Sequence, residues 1–389
     1  MLYNQPLRIT STLITGLMFL TLIGCGDTDE ESQNSGTTET SAFTMNCEAL
    51  GQLFKTEATQ SVQDWSGFWE CYQAENGCSG EQCTYATSSL PSYLLNGDCE
   101  GASSCTIDGQ TVNECETVQN TGYVDIDCSV DGSIGITMNG LPDHTIENYS
   151  TSGTIPPLLG SAETGSSYTL STNPEFSDEA EFPSPFDSSG GSYGIAANGV
   201  NIFNQFTGMN SIAVTDETVD DCGGHPANNQ YHYHSLPACG WLNEPEQLGS
   251  AGNHSGLMGL WLDSFPILGP YGFNDPADTS SDVVRLKSCY TMSACNDDTD
   301  ADCYTYDTDS FDEGSCHLDV CNGRTTAVPE SLQAALGTEI YAYYMTVDEA
   351  QLPAFPYLPF CYRGEAASGS GSSGGGPGPG QGPGNGPPS

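Results

Sequence analysis

Hydrophobic positions follow a helical period almost nowhere in this chain. An apolar run extends from Ile9 to Gly24, but beyond it no long stretch places apolar residues at the i, i+3, i+4, i+7 spacing of an amphipathic helix. The segment Pro329–Leu336 predicts one short helix, with a proline near its start. The 46 glycines, 23 prolines and 19 tyrosines favour turns and strands. We therefore predict a mainly β, loop-rich fold.

The clearest alternation of side-chain types is Tyr231-His232-Tyr233-His234. Successive side chains of a strand project to opposite faces, so the two histidines are expected on one face and the two tyrosines on the other. His225 precedes this tetrapeptide, which places three of the six histidines within ten residues. Imidazole nitrogens bind zinc, copper, iron or nickel. The cluster predicts a transition-metal site to which His225 supplies a third ligand.

The first 25 residues predict the cellular location of the protein. Arg8, the apolar run and a small residue before Cys25 have the organisation of a signal peptide. The run is shorter than the roughly 20 residues that a membrane span requires. Leu22-Ile23-Gly24-Cys25 resembles the lipobox of bacterial lipoproteins, which implies cleavage before Cys25 and lipid attachment to its thiol. We expect a lipid-anchored protein of the bacterial cell envelope, facing the periplasm or the exterior; a plain signal peptide or short anchor is the alternative.

Cysteine usage points to an oxidising compartment. Apart from Cys25, the 17 cysteines form two sets of eight, one between Cys47 and Cys128 and the other between Cys222 and Cys361. Even numbers predict that each set forms its own disulfides, although the sequence leaves the pairing open.

Composition divides the chain into five segments. We predict a lipoprotein signal peptide (1–24), an acidic flexible tether (25–45), a disulfide-rich module (46–128), a larger domain containing every histidine (129–364) and a disordered Gly/Ser/Pro tail (365–389). The role of the module 46–128 stays open.

The net charge is −45, from 51 acidic and six basic residues. This excludes nucleic acid as a partner, because phosphate binding requires clustered lysines and arginines. Solubility in a salty medium accounts for such a charge. The alternative is a calcium-binding surface in the Asp-rich segment 296–312, which lacks the glycine and glutamate of an EF-hand loop. Arg324 and Arg363 are expected to pair with carboxylates or, alternatively, to bind an anionic group bidentately.

A second stretch of the chain repeats the pattern around the histidines. Both copies read D-x-C-x-G-(H/R), then Y-x-Y-(H/Y), then P-x-C; the first extends from Asp220 to Cys239 and the second from Asp319 to Cys361. We predict two related half-units packed together. The positions of the second copy that correspond to histidines hold Arg324, Ala342 and Tyr344.

Several motifs in a fixed order resemble those of the YHYH-domain proteins, over roughly residues 130–364. They are Asn139–His144, Asn198–Val200, Gly224–His225, Tyr231–His234, Asp263–Pro270, Cys321–Gly323 and Cys361–Gly364. The chain departs from the family's usual Asp-Gly-Phe-Pro-Ile-Tyr-Gly-Pro at Ser264 and Leu268. The family name labels a motif and implies no assigned reaction.

Histidines in or beside these motifs are the candidate ligands of one metal ion. They are His225, His232, His234, His254 and His144. We expect nearby carboxylates to orient the rings by hydrogen bonds, as metal-bound histidines usually require. The candidates are Asp221, Asp143 and Asp263. The expected metal is copper, which has the higher intrinsic affinity for nitrogen ligands, or zinc.

Three functions are consistent with these residues. The first is a cell-envelope lipoprotein, attached to the membrane by its lipid, that binds a transition metal without turnover. The second is a metal-dependent hydrolase or oxidase, so whether the protein is an enzyme stays open. The third is a surface adhesion or structural lipoprotein in which the histidines only form a hydrogen-bonded sheet face.

Overall fold

Strands predominate among the regular elements of the computed structural model, which confirms the mainly β prediction. The structure describes residues 43–56, 59–64, 66–77, 99, 101–144, 166–180, 191–206, 212–216, 219–227, 230–292, 303–306 and 316–367. Helices in these ranges are short, and the one predicted near Pro329 is present. They are α1 (Cys47–Gly51), α2 (Ser66–Asn76), α3 (Ala213–Asp216), α4 (Pro245–Leu248) and α5 (Glu330–Leu336), with a 3₁₀ turn at Trp241–Asn243. Within the part of the chain described, no helix has the length and apolar character needed to cross a bilayer.

The first seven strands form small antiparallel sheets. Their bounds are β1 (Thr59–Asp64), β2 (Ser104–Ile107), β3 (Gln110–Asn113), β4 (Glu116–Thr121), β5 (Val124–Asp127), β6 (Ser133–Met138) and β7 (Ser166–Ser171). β1 pairs with β4, β2 pairs with β3, and β5, β6 and β7 form a three-stranded sheet. The pairing of β5 with β6 joins residues on both sides of Cys128.

The remaining strands build a central sheet and two hairpins. Their bounds are β8 (Gly194–Ala196), β9 (Asn201–Ile202), β10 (Gly224–Ala227), β11 (Gln230–Tyr233), β12 (Leu257–Trp261), β13 (Pro266–Leu268), β14 (Tyr271–Phe273), β15 (Val283–Arg285), β16 (Tyr290–Met292), β17 (Tyr304–Tyr306), β18 (Gly323–Ala327) and β19 (Glu339–Tyr344). The hairpins are β14–β15 and β16–β17.

The central sheet consists of two equivalent halves. Its eight strands follow the order β10-β11-β9-β8-β12-β13-β19-β18. In the first half, β10 pairs antiparallel with β11, β11 pairs parallel with β9, and β9 pairs antiparallel with β8. The second half repeats these relations with β18, β19, β13 and β12. β8 and β12 join the halves as an antiparallel pair. The predicted pair of half-units is therefore confirmed.

The repeated D-x-C-x-G turn is held by its aspartate in both halves. The Asp319 carboxylate accepts hydrogen bonds from the backbone N–H groups of Cys321 and Gly323, each at 2.9 Å, and from the Tyr341 hydroxyl. Asp220 accepts the same three bonds from Cys222, Gly224 and Tyr231. A Cβ atom at Gly323 would lie 2.2 Å from the Tyr341 hydroxyl oxygen, which explains why both copies require glycine at that position.

The N-terminal part of the described chain shares a core with the central sheet. Phe43, Leu50 and Phe54 are buried in the same hydrophobic cluster as the strands. The Met45 N–H donates to the Thr172 carbonyl at 2.7 Å, and the Asn46 N–H to the Ala335 carbonyl at 2.8 Å. Packing against the larger predicted domain thus begins well before residue 129.

Disulfides join cysteines of the same set, as the even counts predict. They are Cys47–Cys128, Cys71–Cys105, Cys99–Cys115, Cys222–Cys239, Cys289–Cys316 and Cys321–Cys361. Equivalent turns of the two half-units carry one each, Cys222–Cys239 and Cys321–Cys361. This density of disulfides fits an extracytoplasmic protein.

Some predicted features lie outside the described residues. They are Cys25 with its lipobox, residues 25–42 of the tether, residues 368–389 of the tail and most of the Asp-rich segment 296–312, of which only 303–306 are described. The tether residues 43–45 and the tail residues 365–367 are described: Phe43 and Met45 are buried in the core, and the Ala367 N–H donates to the Leu262 carbonyl at 2.8 Å.

Candidate metal centre

Three histidines converge at the outer hairpin of the first half-unit. His225 on β10 lies directly opposite His232 on β11, and His234 follows on the same face two residues later. The ring centroids are 4.7 Å apart for His225 and His232, 5.1 Å for His225 and His234, and 4.9 Å for His232 and His234. One ring nitrogen of each lies within 4.8 Å of the other two. We call these three residues the histidine cluster.

The spacing of the ring nitrogens matches that of ligands on a common ion. The Nε2 atoms of His232 and His234 are 3.1 Å apart. Tetrahedral zinc with Zn–N bonds of about 2.0–2.1 Å separates its nitrogen ligands by roughly 3.3 Å. Small ring movements therefore suffice for both nitrogens to bind one ion.

A backbone carbonyl fixes the tautomer of His234. Its Nδ1 lies 2.8 Å from the Asn204 carbonyl oxygen, which can only accept, so Nδ1 carries the proton. Nε2 consequently presents its lone pair to the cluster. Metal-bound histidines usually donate their second nitrogen in this way, which holds the ring in its binding orientation.

The cluster is partly covered by an aromatic ring. Phe203 stacks on the His232 ring, with centroids 3.8 Å apart and planes at 20°. His232 and His234 are only 2% and 4% exposed, whereas His225 is half-buried. Phe203 and Asn204 follow β9 and reach the cluster because β9 pairs with β11. Sequence reasoning missed both residues, since neither a stacking ring nor a backbone carbonyl leaves a motif.

Burial keeps His234 in the form that binds metals. It lowers the pKa of His234 to about 3, with a further decrease from His225 and an opposing effect of the Asn204 carbonyl. The ring is therefore neutral near pH 7, and its lone pair is available to an ion without prior loss of a proton.

In the metal-free protein, this burial is expected to make stability depend on pH. The folded pKa of His234 is about 3, below the unfolded value of 6.5, so between these values only the unfolded chain binds the proton. The contribution of His234 is complete above about pH 6.5 and is lost as the pH falls towards 3. Lowering the pH from 7 to 5 should cost about 2 kcal/mol of unfolding free energy.

Urea unfolding of the metal-free wild type and of His234→Gln at both pH values measures this effect. Burial raises the pKa of Asp263 to about 6, which acts in the opposite direction, but Asp263 is present in both chains and cancels in the comparison. An identical pH dependence in the two chains would contradict a neutral buried His234.

Comparison with known proteins assigns the domain. The family model described as YHYH protein matches residues 132–364, more than half of the chain. The chain belongs to the YHYH protein family. No curated protein and no solved structure matches it. The matched range contains the histidine cluster and both halves of the central sheet.

The structure explains how the chain accommodates one departure from the family's usual motif, at Ser264. Ser264, where glycine is usual in YHYH proteins, has a φ of 76°, in the left-handed region that glycine adopts most readily. Its Oγ accepts a hydrogen bond of 2.9 Å from the Ser171 N–H. The side chain thus binds a neighbouring strand of this chain.

His144 lies among the tyrosines and not in the histidine cluster. Its Nε2 is 2.8 Å from the Tyr233 hydroxyl oxygen, and its ring packs against Tyr231. A second group of potential ligands contains His144, Cys222 and Cys239. Because these two cysteines form a disulfide, they offer no thiolate to a metal.

His254 lies in the second half-unit. Its Nδ1 is 2.8 Å from the Ser255 carbonyl oxygen, and its ring packs on Phe273 with centroids 4.7 Å apart. Burial lowers the pKa of His254, and the charge of Arg324 lowers it further. His254 therefore lies near Arg324 and not in the histidine cluster.

Predicted orienting carboxylates take other partners in the described structure. Asp143 accepts from the Asn198 side chain at 3.0 Å and from the Trp241 N–H at 2.6 Å. Asp263 accepts from the Tyr343 hydroxyl and from two backbone N–H groups of the last family motif. Asp221 is exposed. The ring of His234 is instead oriented by its hydrogen bond to the backbone carbonyl of Asn204.

The two arginines considered in the sequence analysis, Arg324 and Arg363, have different environments. Arg363 donates from Nε and Nη2 to the Asp319 carboxylate, at 3.0 and 2.8 Å, and so forms a structural ion pair. Arg324 occupies the position equivalent to His225, opposite Ala342. Its Nη2 donates to the Phe273 carbonyl.

Proposed function

We propose that this YHYH protein binds one transition-metal ion, copper or zinc, through His225, His232 and His234. The observation that carries the proposal is the convergence of three imidazoles whose ring nitrogens lie within 4.8 Å of one another. The carbonyl of Asn204 supports it, because it leaves the Nε2 lone pair of His234 directed at the cluster.

Binding without turnover is the form of this function that we favour. A hydrolytic metal site needs a general base close to the metal-bound water. Two of the carboxylates predicted near the histidines, Asp143 and Asp263, bond to groups outside the histidine cluster. A titration of the copper-loaded chain with azide would separate the alternatives, since an open coordination position in an oxidase or hydrolase accepts the anion with a change in the copper absorption spectrum.

We also propose that the protein acts in the bacterial cell envelope, anchored by a lipid on Cys25. The resemblance of residues 22–25 to a lipobox supports this location, and the disulfides agree with an oxidising compartment. Mass spectrometry of the membrane-bound protein measures the attached lipid directly. A mature chain that retains residues 1–24 would contradict the anchor.

Metal content tests the binding function. The full chain with Cys25→Ser, produced in an oxidising compartment, stripped with chelator and reloaded with zinc or copper, is expected to hold about one ion per molecule. His232→Ala should hold less than a tenth of that amount. The matched controls are His144→Ala and His254→Ala, which remove imidazoles outside the cluster and should leave the content unchanged. Equal metal content in all four chains would overturn the proposal.

A further inference from the structure

Arg324 is a buried cation without an anionic partner among the described residues. Its residue is 9% exposed, and its Nε makes no hydrogen bond. Nη2 donates to the uncharged carbonyl of Phe273. Described ion pairs involve Arg285 with Glu349 and Arg363 with Asp319, and none includes Arg324. Burying an unpaired charge is costly, so folded proteins normally provide a counter-charge.

Two neighbours of Arg324 also have buried polar atoms without a described hydrogen bond. The guanidinium lies over the Tyr344 ring, with Cζ 5.5 Å from the centroid, and the Tyr344 hydroxyl, which is close to Thr326 and Arg324, makes no hydrogen bond of normal geometry. His254 packs on Phe273, and its Nε2 is unbonded as well. Native proteins leave few buried polar atoms unbonded, and a bound ion can satisfy several of them at once. A donor nitrogen, a hydroxyl and a ring nitrogen around one cation point to a bound anion.

Other cations of the chain are concentrated in the same region. Besides burial, the charges of Arg324, Lys287 and Arg285 lower the pKa of His317 to about 4. Three of the six basic residues of a chain with a charge of −45 therefore share one neighbourhood. Arg285 is paired with Glu349, so Arg324 and Lys287 are the members of this group without a described ion pair.

The surroundings restrict the size of the anion. His254 and Phe273 line an open cleft of about 1410 Å³. The same cleft is lined by three carboxylates, from Glu246, Asp282 and Glu330. These repel a large polyanion. Arg324 and Tyr344 do not line this cleft, so a small anion at the guanidinium avoids most of that repulsion.

The tautomer of His254 restricts the chemistry of the anion. Its Nδ1 faces the Ser255 carbonyl at 2.8 Å and so carries the proton. The Nε2 of the neutral ring then accepts a hydrogen bond and cannot donate one. A complete set of partners needs an anion that accepts from Arg324 and Tyr344 and donates to His254. Hydrogen phosphate has both acceptor oxygens and a P–O–H donor, whereas sulfate has acceptors alone.

We propose that Arg324, Tyr344 and His254 form a binding site for free hydrogen phosphate. The site lies at the half-unit position equivalent to the histidine cluster. The first copy of the fold would hold a cation there and the second copy an anion.

Calorimetric titration with inorganic phosphate tests this site in the full chain carrying Cys25→Ser. We expect one phosphate per molecule, bound at least about tenfold more tightly than sulfate, since sulfate leaves His254 without a donor. Tyr344→Phe removes one unbonded hydroxyl and keeps the ring, so it should fold with unchanged stability in phosphate-free buffer. It should weaken phosphate binding by about tenfold.

Control variants distinguish a failure of the phosphate site from a failure of the metal site. Arg324→Gln should abolish phosphate binding, and its zinc content at the histidine cluster reports whether it has folded. Arg285→Gln, outside the proposed contacts, should reduce affinity only slightly. Absence of phosphate binding by the wild type, equal binding of phosphate and sulfate, or unchanged binding by Tyr344→Phe would each overturn the assignment.

Discussion

A chain in which Cys222 and Cys239 are both serine is expected to lose about 3 kcal/mol of unfolding free energy and at least about tenfold in zinc affinity. Neither cysteine is a ligand. The disulfide closes a loop of 17 residues that contains His225, His232 and His234. Its loss releases the ends of the β10–β11 hairpin, so the three rings must be ordered when the metal binds.

The equivalent disulfide provides the matched control. Cys321→Ser with Cys361→Ser opens a 40-residue connection in the second half-unit, which does not contain the histidine cluster. Loop entropy predicts a slightly larger destabilisation, of about 4 kcal/mol. Zinc affinity below the unfolding temperature should stay unchanged. Urea unfolding and competitive zinc titration measure both quantities, and equal losses of zinc affinity in the two variants would contradict the account.

Asp319→Ala is expected to lower the unfolding free energy by about 3–5 kcal/mol, among the largest effects of a single substitution in this domain. It removes the acceptor of two backbone N–H groups and of the Tyr341 hydroxyl. It also leaves the partly buried Arg363 guanidinium without its carboxylate. All of these interactions are lost at once, because a single carboxylate bonds to the turn, to Tyr341 on the adjacent strand and to Arg363 in the last family motif.

Asp220→Ala in the first half-unit isolates the contribution of the ion pair. It loses the corresponding bonds to Cys222, Gly224 and Tyr231, but the described structure has no arginine paired with Asp220. We expect a loss smaller by about 1–2 kcal/mol. Denaturant unfolding of both variants measures the difference. A larger loss for Asp220→Ala would contradict the assigned role of Arg363.

Much of the fold and part of the site could be predicted from the sequence. The alternation at Tyr231–His234 placed the two histidines on one face because strand geometry fixes that relation locally. The repeated cysteine and tyrosine pattern indicated two half-units because each copy must build the same turn around its own aspartate and glycine. The even counts of cysteines indicated that each set forms its own disulfides, because every disulfide uses two cysteines.

The remainder depends on strand order, which no local pattern encodes. His144 lies in a family motif and His254 lies between two of them, yet one is found among the tyrosines and the other near Arg324. Asn204 contributes a carbonyl oxygen, which every residue possesses, and it reaches His234 only through the parallel pairing of β9 with β11. The surroundings of Arg324 likewise become apparent only when the neighbouring side chains are in place.

X-ray absorption at the metal edge of the zinc-loaded chain tests the three-histidine site most directly. The account predicts three imidazole nitrogens at about 2.0–2.1 Å from zinc, with the multiple-scattering pattern of histidine rings and without sulfur in the first coordination sphere. His232→Ala should lose one imidazole or the ion itself. A spectrum fitted by sulfur ligands, or by oxygen ligands with no imidazole scattering, would contradict the account.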